Sequence, residues 1–239
     1  MGVEFRQALR KLGFNRSKVR TSATGQSEQM NASSLRETSL GPLPPGAANN
    51  SLVSTHSLAM PDHKPIRFEP ASHEAQILKI PVSRIYAVPH IQCDKTNHWC
   101  FYLQSAEGTS VAVNCQASGV VPSTILTGGS KAVLTIGELG SALPPDAVMA
   151  FPLDVIPGLT VAGVLHKLTE HGRHRYEFTS MGAGCRYWVA NQIDLFAQVG
   201  MLVDMKQCEA AKAAAATLWP DRTPLPLVRG AYYQIPLPG

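Results

Sequence analysis

Charge is scarce in this chain: only 16% of its 239 residues are Asp, Glu, Lys or Arg, and the formal net charge is +4. The excess is local. Arg6, Arg10, Lys11, Arg16, Lys18 and Arg20 stand against Glu4 in the first twenty residues, a net of +5 that leaves the remaining chain at −1. A body so near neutrality lacks the cationic footprint that phosphate neutralisation demands, so a nucleic-acid partner is excluded. No apolar run approaches the ~18 to 20 residues that cross a bilayer, so no transmembrane segment is expected. Cysteine is sparse and odd in number, five in all, without a secretory leader pattern. That fits a reducing, cytoplasmic compartment better than a disulfide framework. Phosphate-loop and dinucleotide fingerprints are lacking too, and no cofactor is expected.

Residues 5 to 19 space Phe5, Leu9, Leu12 and Val19 at near-helical intervals among cations, a pattern shared by solvated basic tails and organellar presequences. Gly13 and Asn15 interrupt the apolar face, which favours the tail. From Thr21 to Met60 no aromatic residue occurs, and 23 of 40 positions are Ser, Thr, Asn, Gln, Gly or Pro. Such a stretch buries too little surface to offset its ordering entropy, so residues 1–70 are expected to form a disordered tail.

Regular patterning begins near Ile77, and residues 71–239 are expected to form a single domain. Strand signals run over 77–88, 98–103, 110–116, 131–139 and 174–180, rich in β-branched and aromatic residues and bounded by Gly, Pro, Ser and Asn. Helix signals cover VAGVLHKLTEHG behind a Thr160 cap, CRYWVANQIDLFAQVG after Gly184, and the Ala-rich MKQCEAAKAAAATLW before Pro220. Strands, then a helix, a strand and two helices give an α+β class with an antiparallel sheet packed against helices.

Cys185 is the leading candidate for chemistry. GAGC followed by an amphipathic helix places its sulfur on the first turn, where unpaired N–H groups and the macrodipole favour a thiolate. Trp188, Val189, Ile193, Phe196 and Val199 form the stripe that would anchor that helix. Upstream, strict alternation in HWCFYL puts His98, Cys100 and Tyr102 on one strand face and Trp99, Phe101 and Leu103 on the other. On the following strand Ser110, Ala112, Asn114 and Gln116 share a face. If Gln104 pairs with Gly108, His98 lies opposite Asn114; a two-residue slip would place Gln116 there instead. A cysteine nucleophile needs a base in reach and a third group to orient that base, roles that His98 and Asn114 can fill. Taken singly, the three residues are also compatible with an inert buried thiol, a sheet histidine and a strand amide.

HWCFYL, then VAVN, then GCRYWV resembles the circularly permuted papain-like thiol enzymes, the group containing lecithin retinol acyltransferase-like proteins and permuted deubiquitinating-type peptidases. The chain from about residue 75 onward is also similar to a fungal family of uncharacterised domains with HWxxYL and GxGCRxW signatures. The first resemblance implies a permuted papain-like arrangement with Cys185 as nucleophile, His98 as base and Asn114 as its orienting residue. It departs from that group in carrying an amide as third residue, Gly184 before the nucleophile, and Arg186 with Tyr187 after it.

A zinc set of Cys93, His98, Cys100 and Cys115 lacks a CxxC knuckle, and alternation turns Cys115 away from His98, so no metal is expected. His166, His171 and His174 read as a polar helix end. Arg175 and Arg186 are candidates for holding a substrate carboxylate or phosphate, and Trp99 and Gln116 complete the expected substrate contacts. The expectation is a cysteine-dependent hydrolase or acyltransferase that takes a small-molecule or peptide acyl substrate through a thioester on Cys185. The alternative is a non-catalytic binding domain on the same fold.

Overall fold

A computed structural model of the chain describes residues 63–92 and 96–234, all within one compact unit, His56–Gly239. The basic segment, most of the expected tail and Cys93 lie outside the described residues. The end of that tail is folded instead. β1 (Ile66–Glu69) pairs in parallel with β5 (Ser130–Leu139), Ile66 beside Leu134 and Glu69 beside Gly137. Ile66 and Phe68 pack against the core, a two-residue period too short to stand out beside the polar run before it.

The expected strand over 77–88 is divided. Its first part ends the short helix α1 (Glu74–Ile77), and pairing resumes only in β2 (Arg84–Ile91). The intervening residues serve a helix start, because Leu78 and Ile80 carbonyls accept the N–H groups of Ala162 and Val161. Those are the first residues of α2 (Val161–Glu170), whose N-cap Thr160 accepts from Gly163 N as expected. From β2 the chain runs antiparallel through β3 (Asn97–Gln104) and β4 (Ser110–Pro122) into β5, with β6 (Phe151–Asp154) on the far side of β2. On the other side β5 pairs with β7 (Tyr176–Phe178), and β7 with β10 (Ala231–Tyr232). The sheet order is β10-β7-β5-β4-β3-β2-β6, with β1 beside β5; β8 (Thr217–Leu218) and β9 (Thr223–Pro224) form a separate pair. The α+β class holds, with one parallel pair in an otherwise antiparallel sheet.

The two sheet faces have different covers. Trp99, Phe101 and Leu103 of β3 join Val111, Val113 and Cys115 of β4 in the main core, under α3 (Cys185–Gln198) and α4 (Met205–Ala215). Phe101 meets Trp188 and Phe196 of α3 at ring distances of 6.0 and 5.8 Å. Each such buried ring contributes roughly 1.5–3 kcal/mol, which holds the start of α3 against β3. The opposite face carries Val88, Cys100 and Tyr102, flanked by Leu143, Ala147 and Ala150 from the segment after β5.

The loop after β4 is held by a buried carboxylate. Glu177 of β7 accepts hydrogen bonds from Ser123 Oγ, from Thr124 N and Oγ1 (both 2.7 Å) and from Ile125 N (2.9 Å). Burial alone would raise its pKa, but these donors win and hold it below the ordinary carboxylate range. A depressed carboxylate stabilises the fold above its unfolded pKa, and that contribution is lost as pH falls through the folded value. Glu177→Gln, which turns an NH2 group toward these donors, is expected to cost about 2–3 kcal/mol at pH 7 and progressively less below about pH 4. Urea unfolding of both proteins across that range checks it.

Candidate active site

β3 is the strand on which the site is assembled. It pairs with β2 along its whole length, His98 opposite His90 and Cys100 opposite Val88. Its ladder with β4 runs only from Gln104↔Ser110 to Phe101↔Val113. The hairpin turn sets this register. Gly108 has φ +81, which L side chains rarely adopt, so it occupies the turn and Ser105 N bonds to Thr109 O at 2.9 Å. Of the two registers the sequence allows, the slipped one forms: Gln104 faces Ser110, two residues on from Gly108, and the continued register sets Gln116 opposite His98. Asn114 still reaches the ring from the diagonal position, with Oδ1 2.7 Å from His98 Nε2, and its Nδ2 donates to Gln116 Oε1 at 3.4 Å.

Asn114 Oδ1 can only accept, so Nε2 carries a proton and the neutral ring keeps its lone pair on Nδ1. His98 stands against the thiols of Cys185 and Cys100, and both act on its ring. Beyond Phe101 the edge of β3 that would meet β4 is taken by Cys185. The thiol lies 3.8 Å from Asn97 O, and Trp99 N–H donates to the sulfur. The sulfur thus occupies the place of a partner strand.

Cys185 is the first residue of α3, and no side chain caps that helix. Its first-turn N–H groups are left for an anion. The preceding Gly184 has φ +149, and a Cβ there would stand 3.0 Å from Tyr176 Oη and 3.2 Å from Phe178 Cδ1. Only glycine fits. Tyr176 Oη donates to Gly184 O and accepts from Gly230 N, both at 2.9 Å, and so ties the helix start to the C-terminal strand.

Burial opposes the Cys185 thiolate, yet the His98 charge, its hydrogen bond and the Trp99 N–H together bring the thiol below its ordinary range. Burial likewise opposes the His98 cation, and Cys100 and Cys185 outweigh it, holding the ring well above the usual imidazole range. The two shifts describe one thiolate–imidazolium pair. Cys185 is partly exposed while His98 and Asn114 are buried, so a ligand can meet the sulfur while the His98 ring is shielded from water.

Cys185, His98 and Asn114 meet, with Gln116 beside them. Two of the expected substrate contacts, Trp99 and Arg186, are corrected. Trp99 is fully buried, stacked on Phe151 at 5.7 Å, and reaches the sulfur through its backbone alone. Arg186 is buried and donates to the carbonyls of Ala215 (2.9 Å), Leu225 (2.6 Å) and Pro226 (2.7 Å), so it ends α4 and fastens the C-terminal segment. A side chain following the first helical residue points into the body here, which helical spacing alone does not disclose. Arg175 precedes β7; its carbonyl accepts Tyr233 N–H, and its charge acts on the Tyr233 phenol. Among the described residues no group of three or more His, Cys, Asp or Glu has the geometry to hold a metal.

Asn97 was not singled out by sequence, although an amide in an apolar strand flanking HW is a signal. Its Oδ1 accepts Trp219 N at 2.6 Å and its Nδ2 donates to Trp219 O at 2.9 Å, which fixes β3 at its open end. Tyr176 gave no sequence signal, because its role rests on a contact with the far C-terminal segment.

A model of a domain of unknown function (DUF7770) matches residues 85–233, from β2 through β10. No curated protein and no solved structure matches the chain. The match takes in most of the sheet and all three site residues, and the chain belongs to the DUF7770 family.

Proposed function

We propose that the chain is a cysteine-dependent hydrolase or acyltransferase that acts on an amide or ester through an acyl thioester on Cys185. The observation that carries this reading is the sequence of groups at the open edge of β3, with Asn114 Oδ1 2.7 Å from His98 Nε2 and the His98 ring acting on the Cys185 thiol. His98 Nδ1 takes the thiol proton, and the sulfur attacks the acyl carbon. The carbonyl electrons move onto oxygen, where the first-turn N–H groups of α3 stabilise the charge. Collapse expels the leaving group, which receives the proton from His98. Water or another nucleophile, deprotonated by the same ring, then releases the acyl group and restores the thiolate.

The chain order of base, orienting amide and helix-opening nucleophile agrees with the resemblance to the permuted papain-like enzymes and supports that arrangement for the fold. The acyl substrate is a small molecule or peptide reaching the exposed side of Cys185, with the Gln116 amide beside it. The described cysteines are free thiols, which fits a cytoplasmic site of action. The test is acyl capture. Incubation with a panel of activated esters is expected to give one hydroxylamine-labile adduct that peptide mass spectrometry places on Cys185, absent in Cys185→Ser. Uniform slow modification of all cysteines would instead favour a binding domain.

A further inference from the structure

The acyl-transfer reading leaves a buried group on the same strand face unused. Cys100 follows His98 by two residues on the same face of β3, and His90 stands opposite His98 on β2, so the Cys100 thiol lies beside His98 and diagonal to His90, and both imidazoles act on it. Behind it, His90 Nε2 is 3.1 Å from Tyr102 Oη, and His90 Nδ1 is 3.4 Å from Asp146 Oδ2. The Asp146 contact is an ion pair by distance, without the direction of a good hydrogen bond. Its segment is fixed on β2, since Val148 N bonds Pro89 O at 3.0 Å and His90 bridges Ala147. His90 is buried while Asp146 is exposed, which is how a protein keeps an inner cation with a solvated counter-ion.

We infer that Cys100 is a second thiol that shares the His98 imidazole with Cys185, and that the Asp146–His90 pair behind it is a positioning device which sets how much of that imidazole serves the nucleophile. This rests on the reading of Cys185 as acyl carrier and deepens it. Burial opposes ionisation of Cys100, but the charges and hydrogen bonds of His98 and His90 bring it down to about 6. Burial opposes the His90 cation as well, and Asp146 and Cys100 push it up to about 9. The other titratable neighbours stay neutral near pH 7: burial raises Tyr102, and it raises Cys115, which belongs to the opposite face. Tyr86 lies at the rim of the Cys100 cluster. An anion at Cys100 competes for the His98 charge and, through like-charge repulsion, raises Cys185.

The sign of the effect follows. Cys100→Ser removes the competing anion, so the Cys185 thiolate persists to lower pH. His90→Gln removes the cation that supports the Cys100 anion, and the Cys185 profile moves in the same direction. The experiment is the pH profile of iodoacetamide labelling at Cys185, read by peptide mass spectrometry on the full chain. Wild type, Cys100→Ser, Cys100→Ala and His90→Gln are compared, with His98→Ala as reference and melting midpoints alongside. In the Cys100 and His90 variants Cys185 is expected to label about threefold faster at pH 6 or more, the size of effect of one nearby like charge. Lost packing lowers the melting midpoint without moving that profile. Profiles that superpose on wild type, while Cys185 still depends on His98, overturn this inference alone. A Cys185 indifferent to His98 overturns the acyl-transfer reading and this inference with it.

Discussion

His98→Ala is expected to lower turnover of any ester or amide that acylates Cys185 by ~100 to 10,000-fold, the range set by loss of a positioned acid and base. Without the ring, the thiol loses the group that lowers it, while the burial that disfavours its anion remains. The leaving group also loses its proton donor, so an amide suffers more than an activated ester. Asn114→Ala leaves the ring in place without the 2.7 Å contact that fixes its tautomer, and its effect is smaller. Initial rates measured with the ester that gives the acyl adduct, on proteins matched by circular dichroism, check the order. Equal rates for wild type and His98→Ala would remove the histidine from the chemistry.

Gly230→Ala is the largest stability effect expected. A Cβ at Gly230 would stand 2.3 Å from Glu177 O and 2.3 Å from both Cζ and Oη of Tyr176. The first of these is backbone and the others end a ring packed against Phe178 and Tyr232, so none yields without moving β7 or β10. Overpacking of this kind costs roughly 1–3 kcal/mol or more, and losing the Tyr176 hydrogen bonds adds about 1 kcal/mol each. The damage reaches the site as well, because Tyr176 Oη holds Gly184 O immediately ahead of Cys185. Urea unfolding is expected to show a loss of about 3 kcal/mol, with slower labelling of Cys185 in the folded protein. Wild-type stability in this variant would contradict the close approach of Gly230 to Tyr176.

Much of this site was legible because β-strand alternation and helix starts are local. His98, Cys100 and Tyr102 had to share a face, and Cys185 had to open a helix once Gly184 preceded an amphipathic run. The register was not local in that sense. It turned on whether Gly108 paired or turned, and its positive φ decided for the turn. Arg186 shows a different limit: its three carbonyl partners come from the end of α4 and from residues 225 and 226, a contact that no periodicity within α3 encodes. β1 was hidden because a parallel partner far along the chain has no hairpin signal. Position 77 read as strand because its apolar residues suit either structure, and the backbone needs of α2 decided it.

The central claim is that Cys185 and His98 form an activated pair. Its most direct test is the pH dependence of iodoacetamide labelling at Cys185, compared between the native protein and His98→Ala. The structure predicts labelling in the native protein that persists well below the ~8.5 of an ordinary thiol, and a profile in His98→Ala displaced to higher pH. A Cys185 that labels like an ordinary buried thiol in both proteins would contradict it.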